Sequence, residues 1–516
     1  MSENLWSLAN DALQRHPNHL AWVRRVGKGQ REQYTYRQIY CYALNIANRL
    51  RKLGVEAGDR IGVLSANGPE WGASAFAAWK LGAVIAPLHI GNSDEELETQ
   101  AQALAPKLIL YHGNDRGLNN TEVIELDDAV DGSEDVSDSP AKLGDEAVRI
   151  YTSGSTGNPK MVRLSHNNIV SNVIAAANID IHIGSSDRFL SLLPLSHAME
   201  LTGGMLLPLH KGSTIVLPRV LAANEILEAM VDEKITMVIA VPRLFRNIML
   251  NMKKRFKEGG MALGAYLTLL RFTPLSMRHL LNWPIRKNFG GNIKCWLSGG
   301  SRLDPEIGQF FRDLGLPLIQ GYGLTECSPV VSVQEHSDPL LDSVGKPLPG
   351  VKVKIHAADM NGSGELWVSG PNVMMGYVDE IQTRETMDNG WYKTGDIARL
   401  VDGKIIITGR SKRLIVTESG KNVYPEDLEV LLERDPDLKE AGVLEVDMRP
   451  AAVLAIDPPN QEAKAKEIVK NFNARVSSHN QIVRYAVVEE LPRTPLGKVA
   501  LKDLPKIFEQ FEIPKN

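Results

Sequence analysis

The alternation of apolar runs with helix-like segments near the start of the chain limits the fold more than any other feature. Residues 60–64 (RIGVL) and 83–87 (AVIAP) have the pattern of buried strands, and residues 71–81 between them have helical spacing. Parallel neighbours need a crossover connection, so strand, helix and strand with short links favour parallel pairing. Residues 97–104 and 108–111 repeat the theme. The sequence therefore predicts an α/β protein built of layered sheets.

A change of pattern along the chain indicates more than one domain. A chain of 516 residues is long for a single domain. Residues 344–408 show short alternating strands among Gly and Asn turns, which predicts a small β subdomain. A new α+β pattern then runs from Arg410 to the end. We therefore expect a large N-terminal domain over residues 1–409, which contains the β subdomain, and a small mobile C-terminal lid domain over residues 410–516.

A loop rich in glycine and hydroxyl residues follows an apolar strand, in the stretch 150–166 (IYTSGSTGNPKMVRLSH). Glycines let a backbone approach a ligand closely, hydroxyl and N–H groups contact phosphate oxygens, and a lysine neutralises their charge. The spacing of the glycines excludes a Walker A loop. Considered alone, a solvated loop is the simpler interpretation. The candidate phosphate-binding residues are Thr152, Ser153, Gly154, Ser155, Thr156, Gly157 and Lys160.

Two further glycine turns, at residues 298–300 (SGG) and 321–326 (GYGLTE), also have the pattern of ligand-binding loops. Tyr322 offers an aromatic face for a base, Thr325 offers a hydroxyl for a phosphate, and Glu326 is a hard oxygen ligand suited to Mg²⁺. The second turn ends in Glu instead of Gly, so it is not a dinucleotide fingerprint. Considered alone, each turn is better explained as a plain tight turn.

Together these stretches resemble the adenylate-forming enzymes, which include acyl-CoA synthetases, luciferases and peptide-synthetase adenylation domains. Met161 stands where that family usually has Gly. The resemblance implies that ATP and Mg²⁺ bind, with the 298–300 turn against adenine, a carboxylate on the ribose hydroxyls and an arginine on ribose or phosphate. The nucleotide-binding residues so implied, besides the phosphate loop, are Gly299, Gly300, Gly321, Tyr322, Gly323, Asp396 and Arg410.

The resemblance also assigns roles toward the C-terminus. Lys412 stands at the family's hinge, and Lys498, which ends the stretch LPRTPLGK, would bridge the substrate carboxylate and the α-phosphate. Gly420 and Lys421 would face the incoming thiol. Leu501 stands where the family often has Arg, so that role is not carried over. The implied catalytic residues are Lys160, Thr325, Glu326 and Lys498, with Glu326 also the metal ligand.

Four stretches resemble the long-chain fatty acyl-CoA synthetase branch: 193–200 (LPLSHAME), 241–245 (VPRLF), 298–301 (SGGS) with Leu303, and 419–426 (SGKNVYPE). The implied reaction activates a medium- or long-chain fatty acid to acyl-AMP with ATP and then transfers the acyl group to CoA, the co-substrate. A fatty acyl-AMP ligase or an acyl-carrier-protein ligase remains an alternative, as does a non-catalytic nucleotide- or lipid-binding scaffold. The apolar residues of this region also suit ordinary core, and several of them are expected to belong to it. The candidates for the acyl pocket are His197, Met199, Gly203, Gly204 and Val241.

Residues 243–290 contain ten basic residues against one acid, Glu258, with large apolar residues between them. This composition favours either contact with an anionic membrane surface or helices that are half core and half solvated. The net charge of −4 gives no reason to expect nucleic-acid binding. Three widely spaced cysteines fit a reducing cytoplasm, and no long apolar window predicts a spanning helix.

Overall fold

The computed structural model describes residues 4–113, 116–119, 121–123, 138–152, 160–258, 263–274, 277, 281–418, 421–493 and 499–513. The predicted roles of Ser153, Gly154, Ser155, Thr156, Gly157, Gly420 and Lys498 therefore fall outside the described residues. In the rest of the chain, helices pack against sheets in layers, which confirms the predicted α/β class.

The first sheet has nine strands, and its six central strands pair in parallel. The outer strands β2, β14 and β15 pair antiparallel. From edge to edge the strands are β15 (Lys346–Pro347), β14 (Val330–Val333), β13 (Leu318–Gly323), β12 (Cys295–Ser298), β11 (Met237–Ala240), β9 (Arg188–Leu190), β10 (Thr214–Leu217), β1 (Leu20–Gly27) and β2 (Gln30–Thr35).

The second sheet has seven strands and includes the segments that the opening pattern predicted. Its inner strands pair in parallel, as the short strand–helix–strand links require, whereas the two strands at one edge run antiparallel. In order they are β18 (Gly376–Tyr377), β8 (Lys160–Ser165), β7 (Glu146–Thr152), β4 (Val84–Pro87), β3 (Arg60–Leu64), β5 (Leu108–Tyr111) and β6 (Thr121–Val123).

The remaining strands of the described residues lie in three smaller sheets. An antiparallel sheet contains β16 (Lys352–His356), β17 (Gly364–Ser369), β20 (Trp391–Val401), β19 (Met387–Asp388) and β21 (Lys404–Arg410). Beyond it lie the pair β22 (Ile415–Val416) and β23 (Asn422–Val423) and the sheet of β24 (Glu440–Val446), β25 (Arg449–Ala455) and β26 (Arg484–Val488). Residues after 414 form their own apolar clusters. The division at 409–410, which falls at the end of β21, stays a prediction.

Fifteen described helices cover or separate the sheets. Helix α3 is buried along its whole length, with Trp71, Phe76 and Trp79 almost fully enclosed, because apolar residues surround it on all sides. The helices are α1 (Leu5–Arg15), α2 (Tyr36–Lys52), α3 (Pro69–Lys80), α4 (Asp94–Leu104), α5 (His166–Ala177), α6 (Leu207–His210), α7 (Ala223–Asp232), α8 (Pro242–Glu258), α9 (Leu263–Phe272), α10 (Trp283–Lys287), α11 (Pro305–Asp313), α12 (Glu380–Thr386), α13 (Pro425–Leu432), α14 (Gln461–Asn473) and α15 (Leu504–Phe511).

Shorter helical turns occur at several connections, and one of them is a π-helix over Glu200–Leu206. Single π-turns are rare and are often found at functional sites. Among the described residues, no helix combines the length and the apolar character that crossing a bilayer requires.

Candidate active site

Four neighbouring parallel strands bring the candidate residues to one edge of the nine-stranded sheet. Strands β13, β12, β11 and β9 are consecutive neighbours in the sheet, and all point the same way. The residues that follow their carboxyl ends are therefore close to one another. Ligands of open α/β sheets bind at this edge. The candidates so placed are Tyr322 at the end of β13, Gly299 and Gly300 after β12, Val241 after β11, and His197 and Met199 after β9.

The turn predicted to hold adenine lies directly against two of the residues predicted to form the acyl pocket. A Cβ on Gly299 would lie 2.9 Å from Sδ of Met199. Gly300 has φ of +84°, and a Cβ there would lie 3.8 Å from Cγ1 of Val241. The side chain of Val241 is 37% exposed although it is apolar. The structure thus brings these four predicted residues together around one open surface.

The remaining acyl-pocket candidates have different surroundings. Gly203 and Gly204 lie in the buried π-helix, where Gly203 packs against Ile239 and the position of a Cβ on Gly204 is occupied by the carboxyl group of Glu200. Leu201 and Met205 beside them belong to the main core. The ring centroid of His197 is 6.5 Å from that of His89, whose Nδ1 is 3.0 Å from Oγ of Ser196.

A buried carboxylate joins two of the predicted nucleotide-binding residues. Asp396, 5% exposed on β20, accepts hydrogen bonds from the hydroxyl of Tyr322 at 2.6 Å and from Nε of Arg410 at 3.1 Å. Asp396, in the middle of β20, is the cross-strand partner of Arg410 at the end of β21. Burial and the neighbouring carboxylate raise the pKa of Tyr322, while Asp396 raises the pKa of Arg410. The three side chains form one charged, hydrogen-bonded group.

Glu326 links three sheets through residues that the sequence analysis missed. Its Oε1 accepts a hydrogen bond of 2.8 Å from the hydroxyl of Tyr377 on β18, which lies 3.1 Å from the hydroxyl of Tyr392 on β20. Nζ of Lys160 lies 4.6 Å above the ring of Tyr377, in cation–π contact. Burial, followed by the negative charge of Glu326, raises the pKa of both tyrosines. No spacing rule connects Tyr377 with a glutamate 51 positions earlier, so no sequence pattern points to this contact.

The turn that carries Thr325 and Glu326 depends on a close backbone approach. Residues Thr325–Cys327 form a 3₁₀ turn directly after β13. Gly323 lies so close to the carbonyl oxygen of Pro329 that a Cβ there would overlap it. Glycine is therefore the residue that fits this position. The half-buried side chain of Thr325 and that of Glu326 consequently lie next to each other on a fixed turn.

The candidate phosphate loop connects two antiparallel strands. Thr152, the last residue of β7, pairs with Lys160, the first residue of β8, and its hydroxyl donates to the carbonyl oxygen of Lys160 at 3.4 Å. The pairing of β7 with β8 therefore holds the two ends of the loop side by side. A Walker A loop leads from a strand into a helix instead, so the observed hairpin agrees with the exclusion made from the sequence.

The predicted hinge residue lies between two anchored arginines. Lys412 is exposed on the 3₁₀ turn Ser411–Arg413. Arg410 on one side is held by Asp396, and Arg413 on the other donates to Glu429 at 2.6 Å. Lys421 is exposed, and its backbone N–H donates to the hydroxyl of Thr417 at 3.1 Å. These contacts do not test the roles predicted for Lys412 and Lys421, which stay predictions.

Mg²⁺ suits the donors that the described residues offer. This ion usually binds through one or two carboxylates together with substrate phosphates. Glu326 supplies one carboxylate, oriented by Tyr377, next to the strand that begins with Lys160. Among the described residues, no cluster of three or more His, Cys, Asp and Glu side chains forms a complete metal cage. The geometry thus fits an ion shared with a nucleotide.

Glu200 is a buried carboxyl group next to the acyl-pocket candidates. Its Oε1 accepts a hydrogen bond of 2.5 Å from the hydroxyl of Ser191, which in turn accepts from Nδ2 of Asn67 at 2.9 Å. Burial raises the pKa of Glu200 to about 8. A raised carboxyl pKa means that the folded state binds the proton more tightly than the unfolded state. The protonated carboxyl group therefore stabilises the folded state fully below the pKa that Glu200 has in the unfolded chain. This stabilisation is lost as the pH rises toward 8.

This pKa predicts how Glu200→Gln changes stability with pH. The neutral amide cannot ionise, whereas the wild type loses stability as Glu200 ionises. Between pH 6 and pH 9 the free energy of unfolding of the variant should therefore rise relative to that of the wild type by roughly 3 kcal/mol. Thermal unfolding at half-unit pH steps measures the difference. Ser191→Ala retains the carboxyl group, so its free energy of unfolding should still fall as the pH rises. Parallel curves for the wild type and the Gln variant would contradict the prediction.

Solved structures share the whole architecture. O-succinylbenzoate CoA synthetase from Bacillus subtilis, solved in complex with AMP, matches with a TM-score of 0.78 and 24% identity, over 97% of this chain and 98% of that one. The same enzyme solved with ATP and magnesium ion matches with a TM-score of 0.77. The fold is therefore the layered α/β fold of adenylate-forming enzymes.

Sequence comparison identifies the family. Residues 9–378 match the AMP-binding enzyme family. The long-chain-fatty-acid–CoA ligase FadD15 of Mycobacterium bovis is 32% identical over 478 residues, covering 83% of this chain and 78% of that protein. The feruloyl-CoA synthase of an Amycolatopsis species is 28% identical over 516 residues, covering 95% and 96%. The chain belongs to the AMP-binding enzyme family, in which it groups with acid–CoA ligases.

Proposed function

We propose that the chain activates a medium- or long-chain fatty acid with ATP, forming acyl-AMP and pyrophosphate, and then transfers the acyl group to CoA. The observation that carries this proposal is the meeting of Tyr322, Asp396 and Arg410 beside the Glu326–Tyr377–Lys160 group. Four separate parts of the chain supply these residues. One group offers a carboxylate and a cation for a ribose, and the other a carboxylate and a cation for phosphates.

In the first step, a carboxylate oxygen of the acid attacks the α-phosphorus of ATP, and the bond to pyrophosphate breaks. Asp396 accepts hydrogen bonds from the ribose hydroxyls, and Arg410 holds that carboxylate in place. Lys160, Thr325 and Lys498 offset the negative charge that builds up on the phosphate oxygens, which is a large electrostatic effect in a water-poor site. Mg²⁺, when bound at Glu326, supplies further charge neutralisation.

In the second step, the thiol sulfur of CoA attacks the acyl carbonyl carbon, and AMP leaves with the electron pair of the anhydride bond. The thiol proton passes to solvent. We propose that the C-terminal segment turns at Lys412 between the steps, withdrawing Lys498 and bringing Gly420 and Lys421 toward the thiol. One pocket can thereby serve two reactions.

Apolar surroundings support a fatty acid as the substrate. Met199 and Val241 lie next to the predicted adenine turn, and the π-helix that carries Gly203 is enclosed in apolar core. The similarity to FadD15 supports the same choice. The feruloyl-CoA synthase, which is also similar, is named for an aromatic acid. An aromatic acid is therefore the competing substrate class.

Pyrophosphate release tests the substrate and the acceptor together. The purified chain is supplied with ATP, Mg²⁺ and a panel of saturated fatty acids from short to long, beside ferulate and indoleacetate. We expect release to be fastest with a medium- or long-chain acid, and thioester to form only when CoA is present. Faster release with an aromatic acid would contradict the proposal that the substrate is a fatty acid. Acyl-AMP that reacts with a carrier protein but not with CoA would favour the alternative acceptor.

A second proposal concerns the basic segment: we infer that residues 243–290 contact an anionic membrane surface. Phe272 is 84% exposed and Trp283 is 59% exposed, although both are large and aromatic. Leu269, Met277 and Leu281 of the same segment are also exposed. Nζ of Lys287 lies 5.1 Å above the ring of Trp283. Aromatic and basic side chains side by side are typical of membrane-interface surfaces.

Vesicle binding tests this surface. Lys254 and Arg255 are exposed, so Lys254→Glu/Arg255→Glu should leave the fold intact. We expect this variant to lose at least about tenfold in binding to phosphatidylserine-containing vesicles, because each basic residue near such a surface contributes on the order of 1 kcal/mol. Phe272→Ser should also weaken binding, whereas Leu221→Ser, which changes an exposed apolar residue on another part of the chain, should not. If the wild type and the three variants all bound the vesicles equally, the proposal would be overturned.

A further inference from the structure

Arg246 connects the large unit to the C-terminal segment through backbone groups. It lies in the first turns of α8, is 8% exposed and reaches residues 433–439, almost two hundred positions later. Its Nε donates to the carbonyl oxygen of Glu433 at 2.8 Å, and one terminal nitrogen donates to that of Lys439 at 3.1 Å. The other terminal nitrogen donates to the carbonyl oxygens of Leu438 at 2.7 Å and Asp435 at 3.3 Å.

The carbonyl groups that accept from Arg246 lie at the end of a helix and in the connection that follows it. Helix α13 ends at Leu432, so the carbonyl group of Glu433 lies at the partially negative end of the helix, whereas Asp435, Leu438 and Lys439 belong to the connection to β24. A guanidinium group presents five N–H donors in a fixed plane, and a lysine ammonium group cannot reproduce that arrangement. Arg246 therefore caps α13 from a distant part of the chain.

Two ion pairs lie in the same interface. Arg434 donates to both carboxylate oxygens of Asp304, at 2.9 and 2.8 Å, and Arg302 pairs with Asp427. The side chain of Arg434 is far more exposed than that of Arg246, and exposed ion pairs contribute little. Arg246 is thus the buried contact among the three.

We propose that Arg246 is a positioning residue that holds the C-terminal segment in the orientation seen here and must be released when that segment turns. The inference rests on the proposed function, because only a two-step reaction requires a second orientation. Backbone carbonyl groups can be hydrated once the arginine leaves, so the contact can form and break repeatedly without a buried charge being stranded. The ratio of the two half-reaction rates consequently depends on Arg246.

Separate assays of the two half-reactions test the ratio. Acyl-AMP formation is followed by pyrophosphate release, and thioester formation is followed from supplied acyl-AMP and CoA. We expect Arg246→Ala to change the ratio of the two rates by about tenfold, since charged hydrogen bonds contribute at this level and bias one orientation. The ratio of the two rates in Arg246→Lys should lie between that of the wild type and that of Arg246→Ala. Arg243→Ala, which removes an exposed arginine from the same helix, should leave the ratio unchanged.

A distance measurement separates this inference from the proposed function. Spin labels at the exposed positions Lys254 and Lys466, with Cys41→Ser, report the orientation of the C-terminal segment without any assay of activity. We expect Arg246→Ala to broaden the distance distribution relative to Arg243→Ala. Equal loss of both half-reactions with an unchanged distribution would overturn the inference. A broadened distribution in a chain that releases no pyrophosphate would overturn only the proposed function.

Discussion

Lys498→Ala is expected to reduce acyl-AMP formation by about 10³-fold, which is the order of effect when a positioned charge is removed from a transition state. The proposed role of Lys498 belongs to the first step alone, since the lysine is expected to bridge the carboxylate and the α-phosphate. Thioester formation from supplied acyl-AMP should therefore stay within a few-fold of the wild type. The two rates are measured by pyrophosphate release and by thioester yield.

Lys502→Ala is the matched control for this variant. Lys502 lies four positions further on, is exposed and has no proposed role. It should leave both half-reactions unchanged. A loss of similar size in both half-reactions of Lys498→Ala would mean that the lysine supports folding or nucleotide binding in general, and the proposed two-step use of one pocket would lose its main support.

The strand–helix–strand pattern predicted the layered fold because it depends on local periodicity alone. The strands predicted at 60–64 and 108–111 match β3 and β5 to the residue, since each is a short apolar run bounded by turns. The hairpin of β1 and β2 was not predicted, because Arg24 and Arg25 give it the appearance of surface. In the fold Arg25 is buried and donates to Glu225 at 2.9 Å, a partner 200 positions away. Such pairing is invisible in a sequence pattern.

The candidate site likewise contains residues that the sequence predicted and residues that it did not. Gly299, Tyr322 and Asp396 were predicted because each lies in a stretch that resembles the family, and their roles stay predictions. Tyr377, Tyr392 and Arg246 were missed, since each acts through a partner brought near only by folding. Glu200 shows the same limit: it stands in a stretch quoted for the acyl pocket, but its burial and its hydrogen bond with Ser191 are properties of the fold.

Asp396→Asn is expected to lower kcat/KM for ATP by about 10²-fold or more, because a neutral amide cannot pair with the charge of Arg410 and weakens the acceptors offered to the ribose. Arg410 would lose the charged partner that it has at 3.1 Å, and Tyr322 the acceptor that it has at 2.6 Å. The effect should fall on ATP and leave KM for the fatty acid nearly unchanged, because Asp396 is bonded to Tyr322 and Arg410, whereas the acyl-pocket candidates Met199 and Val241 lie against Gly299 and Gly300. Steady-state kinetics with each substrate varied in turn measures the two constants.

Asp402→Asn controls for the loss of a carboxylate in this hairpin. Asp402 is exposed at the turn that joins β20 to β21, and its φ of +51° is one that Asn also adopts readily. It should keep both kinetic constants and the melting temperature. Thermal unfolding of Asp396→Asn shows whether the variant remains folded under assay conditions. A folded Asp396→Asn variant that binds ATP as tightly as the wild type would contradict the ribose role and would reduce the Tyr322–Asp396–Arg410 group to a structural brace between the nine-stranded sheet and the β20–β21 hairpin.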